Sequence, residues 1–285
     1  MNAARDRGAA AIRGGTFAWG SRTFVMAIVN VTPDSFSGDG IADPDAAAQH
    51  GIAQWKAGAD WLDVGGESTR PGHVPVDVQT EIARVVPAIA ALRDRLPSAP
   101  ISVDTYKAPV ARAAHAAGAD AINSVWGASD ELLDVAAECD MAVVATHNRH
   151  GTHDGPGGVV DEVLTFLDDC ATRAVLRGIA PERVLLDPGI GFGKTADQNI
   201  AVLRSLDRVV ALGFPTLLGA SRKNTIGKLT GRAPHDRVSG TLAIAALAVR
   251  AGVDVLRVHD VAAARDAVAV SDAIVRDWRP DGWTG

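Results

Sequence analysis

Short β-branched runs alternate with alanine-rich helical stretches along most of this chain, and no other feature restricts its fold as much. Strand candidates are "FVMAIVN" (24–30), "WLDV" (61–64), "ISVD" (101–104), "AINSV" (121–125), "AVVAT" (142–146), "VLLD" (184–187), "TLLGA" (216–220) and "VLRVH" (255–259). A weak internal repeat joins them: "KAGADWLDV", "AAGADAINSV" and "RAGVDVLRVH" each read as a helix end, a glycine suited to the left-handed cap, then a strand. Eight strand–helix units predict a parallel sheet with helices outside, closed as a (β/α)8 TIM barrel. An open doubly wound sheet is the alternative; the barrel is favoured because eight units leave no second domain to explain. The stretch "GGTFAWGSRTF" ahead of the first strand predicts a short N-terminal hairpin that closes the barrel bottom. The whole chain, 1–285, reads as one domain, with residues 1–15 expected to fray.

Composition removes several function classes. With 47% hydrophobic residues the chain can bury a substantial core. A net charge of −6 without any Lys/Arg run argues against a nucleic-acid or membrane surface. No apolar stretch is long enough to span a bilayer, and the start "MNAARDRGAAAIRGG" lacks a secretory h-region. Cys139 and Cys170 both fall in helix-like segments, as packing residues of a reducing compartment do. A cytoplasmic protein is the expectation.

In a barrel, catalytic groups come from the C-terminal ends of the strands. Those ends read Asn30; Glu67, Thr69 and Arg70; Asp104; Asn123; His147; Asp187; Ser221, Arg222 and Lys223; Arg257 and His259. A single Asp or Asn after a strand is usually a turn former or helix cap. Polar groups at nearly every end are harder to explain that way. Carboxylates and an amide suit a donor-rich heterocycle, and the cations and histidine suit an anion, so the pattern predicts a polar ring carrying phosphate.

Three tempting motifs fail. "DPGIGFGKT" (187–195) resembles a P-loop, but Pro188 stands where the pattern needs a glycine, and "GIGFG" does not fit G-x-G-x-x-G. His147, His150 and His153 suggest zinc, yet they lie in a glycine-rich stretch with neither cysteine near, which favours a solvated loop. Ser35, Ser68 and Ser221 show no nucleophile elbow.

The motifs "MAIVNVTPDSFSGDG" (26–40), "DVGGESTRPG" (63–72), "ISVDTYKAPVA" (101–111), "LLDPGIGFGK" (185–194), "SRKNTIG" (221–227) and "RVHDV" (257–261), in this order, resemble dihydropteroate synthase. The resemblance implies a (β/α)8 barrel, a homodimer, Mg²⁺, and condensation of 6-hydroxymethyl-7,8-dihydropterin pyrophosphate with p-aminobenzoate. It implies pterin contacts at Asp104, Asn123, Asp187, Phe192, Gly219, Lys223 and Arg257. The pyrophosphate end matches Asn30, Thr69, Arg70, Arg257 and His259, with Asn30 at the metal. Phe36, Arg70, Pro71, Phe192, Lys223 and Asn224 match the p-aminobenzoate walls. The catalytic set is then Asn30, Arg70, Lys223, Arg257 and His259. "GGESTRPG" would be a mobile loop in which Thr69 and Arg70 grip anions.

The chain departs from the family pattern at Gly38 and Asp39 in "SFSGDG", at Ser124 and Thr146, and at Asn224, where serine is usual. None of these removes a principal pterin or phosphate group. Two competitors are a methyltetrahydrofolate-dependent methyltransferase, expected to lack "SRK" and "RVHDV", and a pterin-binding paralogue without activity, expected to have broken "GGESTRPG" or "DPGIGFGK".

Overall fold

The computed structural model describes residues 7–32, 40–41, 43–68, 74–151 and 157–284. Strands β1 (Ala9–Ile12) and β2 (Gly15–Ala18) form an antiparallel hairpin, followed by β3 (Phe24–Asn30), β4 (Trp61–Gly65), β5 (Ile101–Asp104), β6 (Ala121–Ser124), β7 (Ala142–Thr146), β8 (Val184–Asp187), β9 (Leu217–Leu218) and β10 (Val255–Val258). The helices are α1 (Pro44–Lys56), α2 (Val78–Arg95), α3 (Ala108–Ala116), α4 (Asp130–Glu138), α5 (Gly158–Leu176), α6 (Ala196–Arg204), α7 (Leu206–Val210), α8 (Asn224–Thr230), α9 (Val238–Ala251) and α10 (Val261–Val275).

The eight strands β3–β10 pair in parallel in the order β8-β7-β6-β5-β4-β3-β10-β9. A parallel bridge between Leu186 and Thr216 joins the two remaining edges and closes the barrel. The predicted strand bounds hold to within a residue, except at "TLLGA", where only Leu217 and Leu218 pair as a strand.

Strand parity sorts the side chains into two cores. Outward residues such as Val25, Leu62, Val64, Val103 and Ile122 pack under the helices. Inward residues Met26, Trp61, Ala121, Val144, Leu185, Leu217 and Val255 fill the lower barrel together with Ile12, Phe17 and Trp19 of the hairpin. The hairpin is thus the barrel floor, and fully burying a side chain as large as Trp61 contributes about 1.5–3 kcal/mol.

One expectation is corrected here. Fraying over residues 1–15 does not extend to β1, whose Ala10 and Ile12 are buried and paired with Phe17 and Gly15. The apolar floor fixes them, and the hairpin begins five residues earlier than "GGTFAWGSRTF" suggested.

The internal repeat has a concrete role. Gly58, Gly118 and Gly252 all take left-handed φ after their helices. The aspartates that follow each accept the N–H of a residue at the start of the neighbouring strand: Asp60 from Val25 (2.8 Å), Asp120 from Ile101 (2.9 Å) and Asp254 from Thr216 (2.9 Å). Each also meets an arginine, Arg22, Arg93 and Arg7 respectively. The repeat therefore satisfies strand donors at the bottom edge, opposite the site.

Candidate active site

Above the apolar floor the same inward parity turns polar. Asn30, Gly65, Asp104 and Asn123 stand in register across β3–β6. One layer below, Asp63 and Ser102 are paired across β4 and β5. Asp63 is fully buried and accepts Arg257 Nε at 2.6 Å, Asn123 Nδ2 at 2.9 Å and the Ser102 hydroxyl. Arg257 Nη2 also donates to Asp104 Oδ2 at 2.7 Å, so the guanidinium bridges two carboxylates and is held nearly edge-fixed. Burial opposes the Arg257 charge, but Asp63 and Asp104 outweigh it and raise its pKa. Burial pushes Asp104 up to about 7, against the pull of Arg257. Among the described residues, buried Asp104 Oδ1 and Asn123 Oδ1 have no hydrogen-bond partner.

The opposite wall comes from β8 and β9. Asp187 Oδ1 accepts the Gly189 N–H at 2.7 Å, and a Cβ placed at Gly219 would come within 3.3 Å of Asp187 Oδ2 and 3.9 Å of Arg257 Cδ. Glycine at 219 therefore keeps that oxygen approachable. Burial raises the Asp187 pKa, with Lys223 opposing. Lys223, at the N-cap of α8, donates Nζ to the Ile190 carbonyl and lies 4.1 Å from the Phe192 ring centroid. Burial lowers Lys223 to about 8. Asn224 opens α8 beside it and is exposed.

These contacts bring Asp104, Asn123, Asp187, Phe192, Gly219, Lys223 and Arg257 together at the C-terminal ends of the strands. Asn30 ends β3 at the rim of the same face, half-buried. His259 is buried just past β10, its backbone N–H and Nδ1 at 3.3 and 2.9 Å from Ser221 Oγ. Ser221 thus orients an imidazole rather than acting as a nucleophile. Arg222 is taken up by Asp260 in a two-point ion pair. Phe36, Gly38, Asp39, Thr69, Arg70, Pro71 and His153 lie outside the described residues.

On either side of residues 69–73, Lys107 Nζ joins Glu67 Oε2 (2.5 Å), Glu81 Oε2 (2.6 Å) and the Val76 carbonyl (2.6 Å), while Tyr106 donates to Glu67 Oε1 at 2.9 Å. Both stems of that segment are therefore tied to the β5–α3 connection. Burial raises the Glu67 pKa, but Lys107 and Tyr106 prevail and hold it below the usual range.

Two residues were missed in the sequence. Asp63 sits inside an apolar run, and the only signal was a charged residue two places from inward Trp61. Ser102 gave no signal at all. The solvated-loop reading is corrected at His147, which is buried against Phe166 and contacts Lys194, while His150 stacks on Trp126 at 4.6 Å. No group of three or more His, Cys, Asp or Glu suited to a metal occurs among the described residues.

The model of the pterin binding enzyme family matches residues 26–259. A dihydropteroate synthase of Clostridium beijerinckii is 42% identical over 261 residues, 90% of this chain and 96% of its own length. An inactive dihydropteroate synthase 2 of Mycobacterium tuberculosis is 44% identical over 260 residues, 86% of this chain and 81% of its own. A Clostridium difficile dihydropteroate synthase, solved in the presence of pteroic acid, superposes with a TM-score of 0.86 at 43% identity, covering 91% of this chain and 99% of that one. Overall identity does not separate active from inactive relatives, and the fold agrees with that of the solved relative. This chain belongs to the dihydropteroate synthase family of pterin-binding transferases.

Proposed function

We propose that the chain condenses 6-hydroxymethyl-7,8-dihydropterin pyrophosphate with p-aminobenzoate, releasing pyrophosphate and 7,8-dihydropteroate. The observation that carries this reading is the pair of unpartnered buried acceptors, Asp104 Oδ1 and Asn123 Oδ1, in register at the end of the barrel where Asp187 also stands. An aminopyrimidinone edge supplies N–H donors to match acceptors of that kind, and Lys223 supplies the complementary donor. Arg257, held flat by two carboxylates, is set to stack on the ring. Phe192, Lys223 and Asn224, with Phe36, Arg70 and Pro71, serve the p-aminobenzoate side. Asn30, Thr69, Arg70, Arg257 and His259 serve pyrophosphate.

The chemistry then follows from charge placement. The C–O bond at the pterin methylene breaks with its electron pair on pyrophosphate, and the dihydropterin ring delocalises the positive charge left behind. The aniline nitrogen attacks that carbon and loses a proton. No side-chain nucleophile is needed; positioning and electrostatic stabilisation suffice.

Mg²⁺ fits on limited terms. Among the described residues the donor set near Asn30 is an amide rather than an acidic cluster, which suits a Mg²⁺ ion carried by pyrophosphate oxygens and water with one protein contact. When bound there, it would neutralise charge on the leaving group.

We also infer a homodimer: Leu247 on α9 and Val270 and Ile274 on α10 are exposed apolar side chains on two helices packed together. Sedimentation velocity tests this. No helix among the described residues is long and apolar enough to cross a membrane. Unpaired Cys139 and Cys170 support a reducing, cytoplasmic setting.

The decisive assay supplies the two substrates and Mg²⁺ to purified protein and measures dihydropteroate. Calorimetric binding of the pterin pyrophosphate without turnover would assign the chain to the inactive relatives instead. Methyl transfer from methyltetrahydrofolate would overturn the assignment.

A further inference from the structure

Lys194 closes the motif that fails as a P-loop, and nothing in the proposed chemistry uses it. It is half-buried beside the 189–193 turn. Its Nζ lies 2.9 Å from the Gly189 carbonyl, 3.1 Å from the Phe192 carbonyl and 2.8 Å from His147 Nδ1. The His147 carbonyl adds a longer contact at 3.5 Å, so the three donors of the protonated amine are all met. Two of the nearer acceptors belong to the turn just before Lys194 and the third lies just past β7, so one amine knots the turn onto its neighbour, with burial lowering its pKa to about 7.

His147 is suited to the acceptor role. Burial, then Lys194 and Arg149, lower its pKa to about 3, so the ring is neutral. Its Nε2 faces Glu162 Oε1 at 3.6 Å, which leaves Nδ1 with the lone pair. Arg149 adds a second tie, donating Nε to the Gly193 carbonyl at 2.9 Å while its guanidinium is held by Glu162 on α5. The turn is pressed so closely on this segment that a Cβ at Gly189 would sit 1.8 Å from the His147 carbonyl oxygen, and one at Gly193 2.2 Å from that of Arg149.

The knotted turn carries the site's contacts outward. Gly189 N–H fixes Asp187 Oδ1, the Ile190 carbonyl receives Lys223 Nζ, and the Phe192 ring lies under the same ammonium. We propose that Lys194 is a positioning residue for the pterin pocket, tying the 189–193 turn to β7 through His147 and thereby placing Lys223. This rests on the pterin reading of the site.

The test is calorimetric titration of 6-hydroxymethyl-7,8-dihydropterin pyrophosphate. Binding to the wild-type protein checks the underlying reading; absence of binding there sinks that reading, not the inference. Lys194→Met is expected to raise Kd about 10- to 100-fold, the range for leaving buried acceptors unmet. In a Lys223→Met background the same substitution should add at most about threefold, because no ammonium remains to be placed. At pH 6 the ¹⁵N spectrum should show His147 as the Nε2–H tautomer in the wild type, and Lys194→Met should release that preference. An unchanged Kd in folded Lys194→Met, or a full loss that persists in the Lys223→Met background, overturns the proposal. Should Lys194→Met fail to fold, His147→Phe removes a single acceptor and keeps the edge contact region of Phe166 filled. Its Kd should rise about three- to tenfold for one lost hydrogen bond. No change there overturns the proposal equally.

Discussion

Asp63 should be the most sensitive buried residue of the site that touches no substrate. It is fully buried, and its carboxylate accepts Arg257 Nε (2.6 Å), Asn123 Nδ2 (2.9 Å) and Ser102 Oγ. Asp63→Ala leaves these three donors without an acceptor in a dry layer, at about 1–3 kcal/mol for each buried unsatisfied group. These terms do not add fully, because Asp104 still holds Arg257 Nη2 and Ser102 can turn its hydroxyl to the Leu62 carbonyl. Breaking one partner of a buried ion pair typically costs about 3–5 kcal/mol, and that range is the expectation. Asp63→Asn behaves differently. Its amide oxygen can stay at the Oδ2 position, accepting from both Arg257 and Asn123, while its NH₂ donates to Ser102 Oγ. Only the charge is lost, which reduces a charge-assisted bond to a neutral one at about 1–2 kcal/mol.

Urea unfolding followed by tryptophan fluorescence reads the two variants against wild type, with equal m-values as the condition for comparison. Pterin affinity, titrated in the same samples, should fall about tenfold for each 1.4 kcal/mol by which Arg257 is left misplaced. If Asp63→Ala is as mild as Asp63→Asn, with both under about 1 kcal/mol, the carboxylate is not what holds Arg257 and the layered description of the barrel top is wrong.

Three further outcomes are expected. Asp187→Asn can still accept the Gly189 N–H but presents an amide N–H₂ over Gly219, so pterin affinity should drop about 10- to 100-fold; calorimetry showing no change removes Asp187 from the pterin site. Burial lifts Asp104 from 3.8 to about 7, so the native state holds a proton that the unfolded chain releases near 4. Stability from this group is present at low pH and is lost as pH rises through about 7, whereas pterin binding, which needs the ionised acceptor, tightens over the same range; Asp104→Asn should abolish both slopes in parallel unfolding and binding titrations. Asn224 opens α8 at an exposed position beside Lys223, where its larger amide can crowd the substituent of a sulfonamide but not the flat carboxylate of p-aminobenzoate. Asn224→Ser should therefore strengthen sulfonamide inhibition relative to the KM for p-aminobenzoate, and an unmoved ratio makes the residue neutral.

What could be read from the sequence, and what could not, divides along physical lines. Strand ends were legible because polar residues after a β-branched run are conspicuous, and Asp104, Asn123, Asp187, Lys223 and Arg257 all lie at the same end of the barrel. Asp63 was not, because its meaning depends on Arg257, 194 residues away, and a lone carboxylate within "WLDVG" resembles a turn residue. The strand β1, "AAAI", was invisible for the opposite reason: alanine has weak strand preference, and only burial on the barrel floor gives it a partner. The aspartates of the "GAD" and "GVD" repeat were in plain view, yet their pairing with neighbouring strand N–H groups appears only once the strands are adjacent. The loop that ends in Lys194 fails as a P-loop in the sequence; its glycines take left-handed φ, as such loops do, but two of them serve close packing on His147 and Arg149. A common cause lies behind these cases. Inward positions of one barrel are apolar in the lower layers and ionic in the upper ones, so a strand such as "WLDVG" must change character within two residues. Periodicity finds the inward face, but the height at which it turns polar is fixed by partners on other strands, and those partners are what the site is built from.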